Sequence, residues 1–482
     1  MREFWFGFIG SVIGVLGALA LIIIGGAFVI SGLIASTLQD TEFASADPLP
    51  DEGIILEIDL RSKIDSETGS SVLDIQPPRV ASFGGGMIEY TLIQAASDPR
   101  VDGAIVTTGA TSELSTARAE SIAHAVQTFA ASGKVIHTHL GATYGGHRPD
   151  ILLATASESA STSPFDTVSL ELGLFSGTPE ARSTASVLAF AQAVSRNPDV
   201  NAQALAESVE RGFVTLEDAL EIGLFDEVSS YYAAREALTV PQGRVAISHE
   251  RYVSSLGVSP SRPHIAWLRY PTGNADSYIE LLNTLPLIAD EPQVDAIIVE
   301  VGPGTTYASF DSDLALAIQR ARRAGKPVIG LISGSLHDTP YRNIIAADRI
   351  VMPATAVLRG IGESQSQLPP AFLQQGAAQA PSGEARLVML EYARLIEDIA
   401  EARDLPMARV DELGRGQPWT GAQAVEFGLA DEIGGAAQAV EAARQLAGIP
   451  SDADVELVIY PRPPSRSERL AQRLGELLYG AP

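Results

Sequence analysis

The chain has 482 residues and a net charge of −26, from 33 Lys+Arg against 59 Asp+Glu. So acidic a balance argues against nucleic acid or an anionic lipid surface as a partner. With no cysteine, disulfides and thiolate metal sites are excluded, while the length suffices for two ordinary domains with their own cores.

From Phe4 to Gln39 there is no charged side chain, and Val12–Ile34 is strongly apolar. A bilayer core needs about 20 such residues, so residues 1–39 are expected to form one transmembrane helix. The small-residue triplet Ala44-Ser45-Ala46 lies well past the apolar run, which favours an uncleaved anchor over a signal peptide. Arg2 precedes the segment while Asp40, Glu42 and Asp47 follow it, which places the body outside the cytoplasm. Gly10 and Gly14 form a GxxxG pair that either packs two anchors together or reflects common glycine use in such helices. Gly84-Gly85-Gly86 lacks the downstream Gly-Lys-Ser/Thr of a phosphate loop and reads as linker.

Beyond the anchor the chain is duplicated. Asp98–Val106 (DPRVDGAIV) matches Glu291–Val299 (EPQVDAIIV), Ser132–Val135 matches Ala324–Val328, and Ala219–Leu224 matches Ala424–Leu429. Gly103–Thr107 and Ala296–Val301 read as short apolar runs of β-branched residues, as in strands covered on both faces. Each is followed by apolar residues at helical spacing, over Ala117–Ala131 and Asp311–Arg323, and then by another buried strand. Strand–helix–strand alternation implies parallel sheets with right-handed crossovers. Gly133 and Gly325 sit just past helix ends, where a left-handed backbone favours glycine. The expected organisation is a first repeat over 40–240, a hinge over 241–263 rich in Pro and Gly, and a second repeat over 264–460. A tail over 461–482 then places Leu470, Leu474, Leu477 and Leu478 on one helical face, suited to a membrane surface or a neighbouring subunit.

His137 and His139 form an H-x-H pair on a predicted strand with His147 downstream, a spacing that can ligate zinc, but no third ligand is placed beside them. Incidental polar residues at a strand end explain them better, and no metal or cofactor is expected. Ser333, Ser335, His337 and Asp338 cluster at a strand-to-helix turn, too close in sequence to fold into a triad.

The segment Lys326–Gly362, with Lys326-Pro327-Val328, Tyr341, Ala347–Val351 and Gly360-Ile361-Gly362, resembles the catalytic segment of the signal peptide peptidase A (SppA, protease IV) family. Gly416–Asp431 (GQPWTGAQAVEFGLAD) resembles that family's G-x-x-W-T-G element, and the likeness runs through both repeats. The resemblance implies tandem α/β repeats with a crotonase/ClpP-like fold and a membrane-anchored tetramer. It also implies a location in the bacterial inner membrane with the body on the periplasmic side.

It further implies a Ser/Lys dyad, yet the position matching the family serine holds Asp338, and its two glycines are Thr339 and Pro340. The family's oxyanion and cleft turns correspond to Gly302-Pro303-Gly304 and to Gly360. The chain has three lysines, Lys63, Lys134 and Lys326, and none falls in Leu170–Ser183, the stretch matching the family's base. A carboxylate at a helix start can cap the helix, but it cannot form an acyl-enzyme in the usual way. The expectation is therefore an inactive homologue acting as scaffold, peptide binder or regulator, as a homo-oligomer or with an active relative. The alternative is an active membrane-bound serine endopeptidase that degrades cleaved signal peptides.

Overall fold

The computed structural model describes residues 49–61, 86–109, 114–141, 148–163, 184–194, 196–211, 216–256, 262–269, 275–302, 311–334, 336, 338–359, 361–362, 383–451 and 453–460. Among these, no helix is long and apolar enough to cross a membrane. The expected span within residues 1–39 and the C-terminal tail lie outside the described residues, as do the Gly10/Gly14 pair and His147.

Two six-stranded sheets carry the fold. The first comprises β1 (Ile54–Asp59), β2 (Val101–Thr108), β3 (Val135–Leu140), β4 (Ser159–Thr162), β5 (Glu227–Val228) and β6 (Val245–Ser248), in the order β5-β4-β3-β2-β1-β6. The second repeats this plan with β7 (His264–Arg269), β8 (Val294–Val301), β9 (Val328–Ile332), β10 (Arg349–Met352), β13 (Glu432–Ile433) and β14 (Glu456–Tyr460), in the order β13-β10-β9-β8-β7-β14. Every pairing in both sheets is parallel. A separate antiparallel pair joins β11 (Val357–Leu358) to β12 (Trp419–Thr420). This is an α/β architecture with parallel sheets.

The duplication extends to individual contacts. Asp226 accepts the Ala160 N–H at 2.7 Å, and Asp431 accepts the Ile350 N–H at 2.7 Å, each tying the turn after a repeat's late helices to its fourth strand. Gly133 and Gly325 adopt φ of 85° and 82°, the left-handed conformation that ends a helix cheaply only for glycine. Both sheets carry the same irregularity where their first strand begins, at Ile54/Ile55 and at His264/Ile265.

Two sequence expectations need correction. The 241–263 segment is more than a hinge: β6 pairs with β1 and completes the first sheet, and a helix over His249–Ser255 follows it. The short strands β1, β6 and β14 carry too little periodic signal to be read from sequence, with six, four and five residues respectively. The "apolar" run Ala296–Val301 contains Glu300, which is 1% exposed.

Helices α1 (Gly86–Ser97) and α2 (Thr116–Ala131) belong in sequence to the first repeat, yet they help to cover the second sheet. Met87 and Tyr90 of α1 lie in one core with Ile265, Trp267, Ile298 and Leu331 of the second sheet and with the helix Ala436–Ala447. The opposite face of the second sheet has its own core, including Leu268, Ile297, Val299, Ile318 and Tyr341. The two repeats thus share apolar burial, the dominant stabilising term in folding.

Candidate active-site cleft

The carboxyl ends of parallel strands are where open α/β sheets present their ligand sites. In the second repeat that edge is formed by β8 running into Gly302, β9 running into Ser333, and the helix Asp338–Ile344 beyond. Ser333 is 2% exposed; its N–H donates to Val301 O at 2.9 Å and its hydroxyl to the same carbonyl at 3.4 Å. A methyl group built on Gly302 would lie 3.4 Å from Ser333 Oγ, so a small residue there lets the two turns approach. Leu336 is bound to β11: its N–H donates to Val357 O at 2.9 Å, and Arg359 N–H donates to Leu336 O at 2.5 Å.

The sequence-predicted positions distribute as follows. Asp338, Thr339 and Pro340 form the first turn of the seven-residue helix Asp338–Ile344. Gly302 directly follows β8, whereas Pro303, Gly304, Gly360, Ser335 and His337 lie outside the described residues. Of the three lysines, Lys63 and the Leu170–Ser183 stretch also lie outside them. Lys134 donates through Nζ to Ala95 O at 2.6 Å and Asp98 O at 2.5 Å, and Lys326 donates to Val294 O. Lys134 thus fastens the start of β3 to the turn before β2, and Lys326 fastens the start of β9 to the first residue of β8; each is a structural task.

The histidine pair is held by serines. His137 bonds to Ser159 Oγ and Ser161 Oγ, each at 2.8 Å, and His139 Nδ1 bonds to Ser161 Oγ at 2.9 Å. Burial pushes His139 down to about 4, with the neighbouring His137 adding to the effect, so it is neutral at ordinary pH. Among the described residues no group of three or more His, Cys, Asp or Glu side chains is gathered as around a metal ion. A cavity of about 580 Å³ opens in the first repeat beside Lys134, Arg196, Asn197 and Asp226. There Arg196 turns to Glu120 and His124, at 3.3 Å and 3.2 Å, whereas in the second repeat Arg403 grips Asp431 at 3.0 Å and 2.6 Å.

Sequence reasoning missed the group that floors the cleft. Arg118 of α2 lies 2.8 Å from Glu300 Oε1 and 3.2 Å from Glu89 Oε2, with all three side chains at most 3% exposed. Glu300 also accepts the Trp267 indole N–H at 2.9 Å, and Arg269 stands 3.9 Å away. Ser121 donates its hydroxyl to Glu89 Oε1 and accepts the Ala436 N–H at 3.3 Å. Next to Ser121 in the chain, Glu120 accepts the Thr355 N–H at 2.7 Å, which secures the loop entering β11. Burial opposes charge on Glu300, but Arg118 and Arg269, with the Ser333 hydroxyl, outweigh it and hold the carboxyl at about 2. Burial pushes Glu89 up to about 7; Arg118 opposes that shift and the Glu300 charge adds to it. The pair therefore carries one fixed charge, on Glu300, and one titratable site, on Glu89. The only sequence signal was an acidic residue inside an otherwise apolar strand.

Comparison with known proteins agrees with the motif reading. Residues 383–450 match Peptidase family S49. The chloroplastic serine protease SPPA of Arabidopsis thaliana is 24% identical over 319 residues, which cover 56% of this chain and 47% of that protein. Protease 4 of Haemophilus influenzae is 25% identical over 189 residues, covering 35% of this chain and 31% of that one. Each match spans less than half of the relative's own length. The 1510-N membrane-bound stomatin-specific protease shows 13% identity and a TM-score of 0.31, covering 41% of this chain and 98% of that one. In these sequence matches, as in the Lys326–Gly362 and Gly416–Asp431 motifs, the chain is similar to members of the signal peptide peptidase A family.

Proposed function

We propose that this protein is a membrane-anchored, extracytoplasmic homologue of signal peptide peptidase A that has lost the family's peptidase chemistry. It retains the cleft of the second repeat as a peptide-binding or scaffolding surface, in a homo-oligomer or beside an active relative. The observation that carries this reading is Asp338 at the family serine's position, in the first turn of the helix after β9. A Ser/Lys mechanism needs a hydroxyl nucleophile and a neutral lysine able to take its proton. Lys134 and Lys326 are committed to backbone carbonyls instead, which supports the same conclusion. The anchor rests on the uncharged Phe4–Gln39 segment.

The test is hydrolysis of a fluorogenic peptide and labelling by a fluorophosphonate, on the detergent-solubilised full chain beside an active family member. No turnover and no labelled serine are expected. Turnover abolished by one Ser→Ala change, at Ser333 or elsewhere, would overturn the proposal and establish the endopeptidase alternative.

A further inference from the structure

Glu89 occupies an unusual place. It belongs to α1, in the first repeat, and is 0% exposed, buried against the second sheet. Its Oε2 has no hydrogen-bond donor, only the off-axis Arg118 guanidinium at 3.2 Å. A buried carboxylate oxygen without a donor favours the neutral acid, because desolvation is not repaid. The charged groups facing Glu89 are Arg118 from α2, Glu300 from β8 and Arg269 from β7. The helix Ala436–Ala447 contributes its first N–H through Ser121, and the helix His249–Ser255 presents Tyr252 to Asp98, at the other end of α1.

The same three-residue group reaches the cleft. Glu300 is two residues before Gly302 and feels the Ser333 hydroxyl, while Glu120 on α2 holds the loop before β11 through Thr355 N–H. The cleft floor of the second repeat is therefore fastened by residues of the first.

We propose that the Glu89–Arg118–Glu300 triad is a proton-sensitive latch that holds closed the interface between the first repeat and the strands beneath the cleft of the second. With Glu89 neutral, the Arg118 guanidinium is matched by the Glu300 carboxylate and the interface buries one ion pair. When Glu89 loses its proton, a second carboxylate charge is buried with no donor for Oε2, and the interface between repeats loosens. The functional meaning rests on the cleft reading above, but the test requires neither peptide nor turnover.

The sign follows from linkage. The carboxyl of Glu89 has an ordinary value of 4.5 and stands at about 7 in the folded protein. The closed state therefore binds the proton more tightly than an opened one, and closure weakens as pH rises from 4.5 to about 7. Within that window each pH unit costs about tenfold in the closing equilibrium, and the loss levels off above it. Between pH 6 and pH 8 the latch should lose roughly tenfold.

The experiment is hydrogen exchange by mass spectrometry on the full-length protein in detergent, at pH 6 and pH 8, corrected for the intrinsic exchange rate. Peptides over Val294–Gly302 and Thr355–Leu358 are expected to lose about tenfold of their protection in the wild type and none in Glu89→Gln. Peptides over Val101–Thr108 of the first sheet serve as the internal reference and should keep their protection. A second variant, Ser121→Ala, removes the hydroxyl that favours the ionised form and should move the wild-type midpoint upward. Equal protection of the wild type at both pH values, an unchanged loss in Glu89→Gln, or an equal loss throughout both sheets would each overturn the latch.

Discussion

Replacing Arg118 by Met tests the central electrostatic claim directly. Arg118 is 3% exposed on its side chain and contacts two carboxylates, Glu89 at 3.2 Å and Glu300 at 2.8 Å. Met preserves most of the apolar stem but leaves Glu300 charged and buried. Breaking a buried pair by removing one partner costs about 3–5 kcal/mol, because the remaining charge is uncompensated. Two features favour the lower end here: Glu300 keeps the Trp267 N–H and the distant Arg269, and Glu89 can become neutral. A loss of about 3 kcal/mol, on the order of a hundredfold in the opening constant, is expected. The assay is urea unfolding at pH 7 in detergent, with Arg320→Met as the exposed control. Arg320 pairs with Asp290 at 3.0 Å, but both side chains are at least 60% exposed, so its removal should cost no more than about 1 kcal/mol. The double variant Arg118→Met/Glu300→Gln should recover much of the loss, since no orphaned charge remains. If Arg118→Met unfolded within about 1 kcal/mol of the wild type, the network would not hold the repeats together in the way described.

Three further substitutions probe separate links. Gly435→Ala would place a methyl group 2.6 Å from Ser121 Cα, a backbone atom of the other repeat, so the repeats must part; overpacking of this kind costs about 1–3 kcal/mol and should lower the thermal midpoint. Thr420→Ala removes the capping box before the helix Gly421–Glu426, in which Thr420 and Gln423 bond reciprocally, and should cost about 1 kcal/mol in urea unfolding. Tyr341→Phe deletes a fully buried hydroxyl that donates to Leu429 O at 2.6 Å; leaving that carbonyl unpaired should cost about 1–3 kcal/mol by the same measurement. On the acid side, Glu300 is held at about 2 against an ordinary 4.5, so its stabilisation is present above 4.5 and lost as pH falls towards 2. Glu300→Gln should flatten that acid limb of the thermal midpoint plotted against pH.

Much of the frame was legible because it depends on local pattern. The runs Gly103–Thr107 and Ala296–Val301 became the inner parts of β2 and β8, and Gly133 and Gly325 took the left-handed turns expected of them. The edge strands were not legible, since β6 becomes a strand by pairing with β1, whose partner residues lie 191 positions earlier in the chain (Ile54 with Val245). Nor could the sequence show that Arg196 turns to Glu120 in the first repeat while Arg403 grips Asp431 in the second. A guanidinium goes to whichever carboxylate the surrounding helices bring near, and those helices differ between the repeats.

The sequence by itself determined the alternation of strand and helix, the duplication, the likeness to the family and the carboxylate where that family keeps its serine. Each is written in residue type and short-range spacing, where sterics and periodic burial act. Only the tertiary structure decided that Glu89, Arg118 and Glu300 meet, over a separation of more than 200 residues along the chain, in a space closed to water. Residue type names an ionisable group, but desolvation and the charges beside it fix its protonation, and both are properties of the packed molecule.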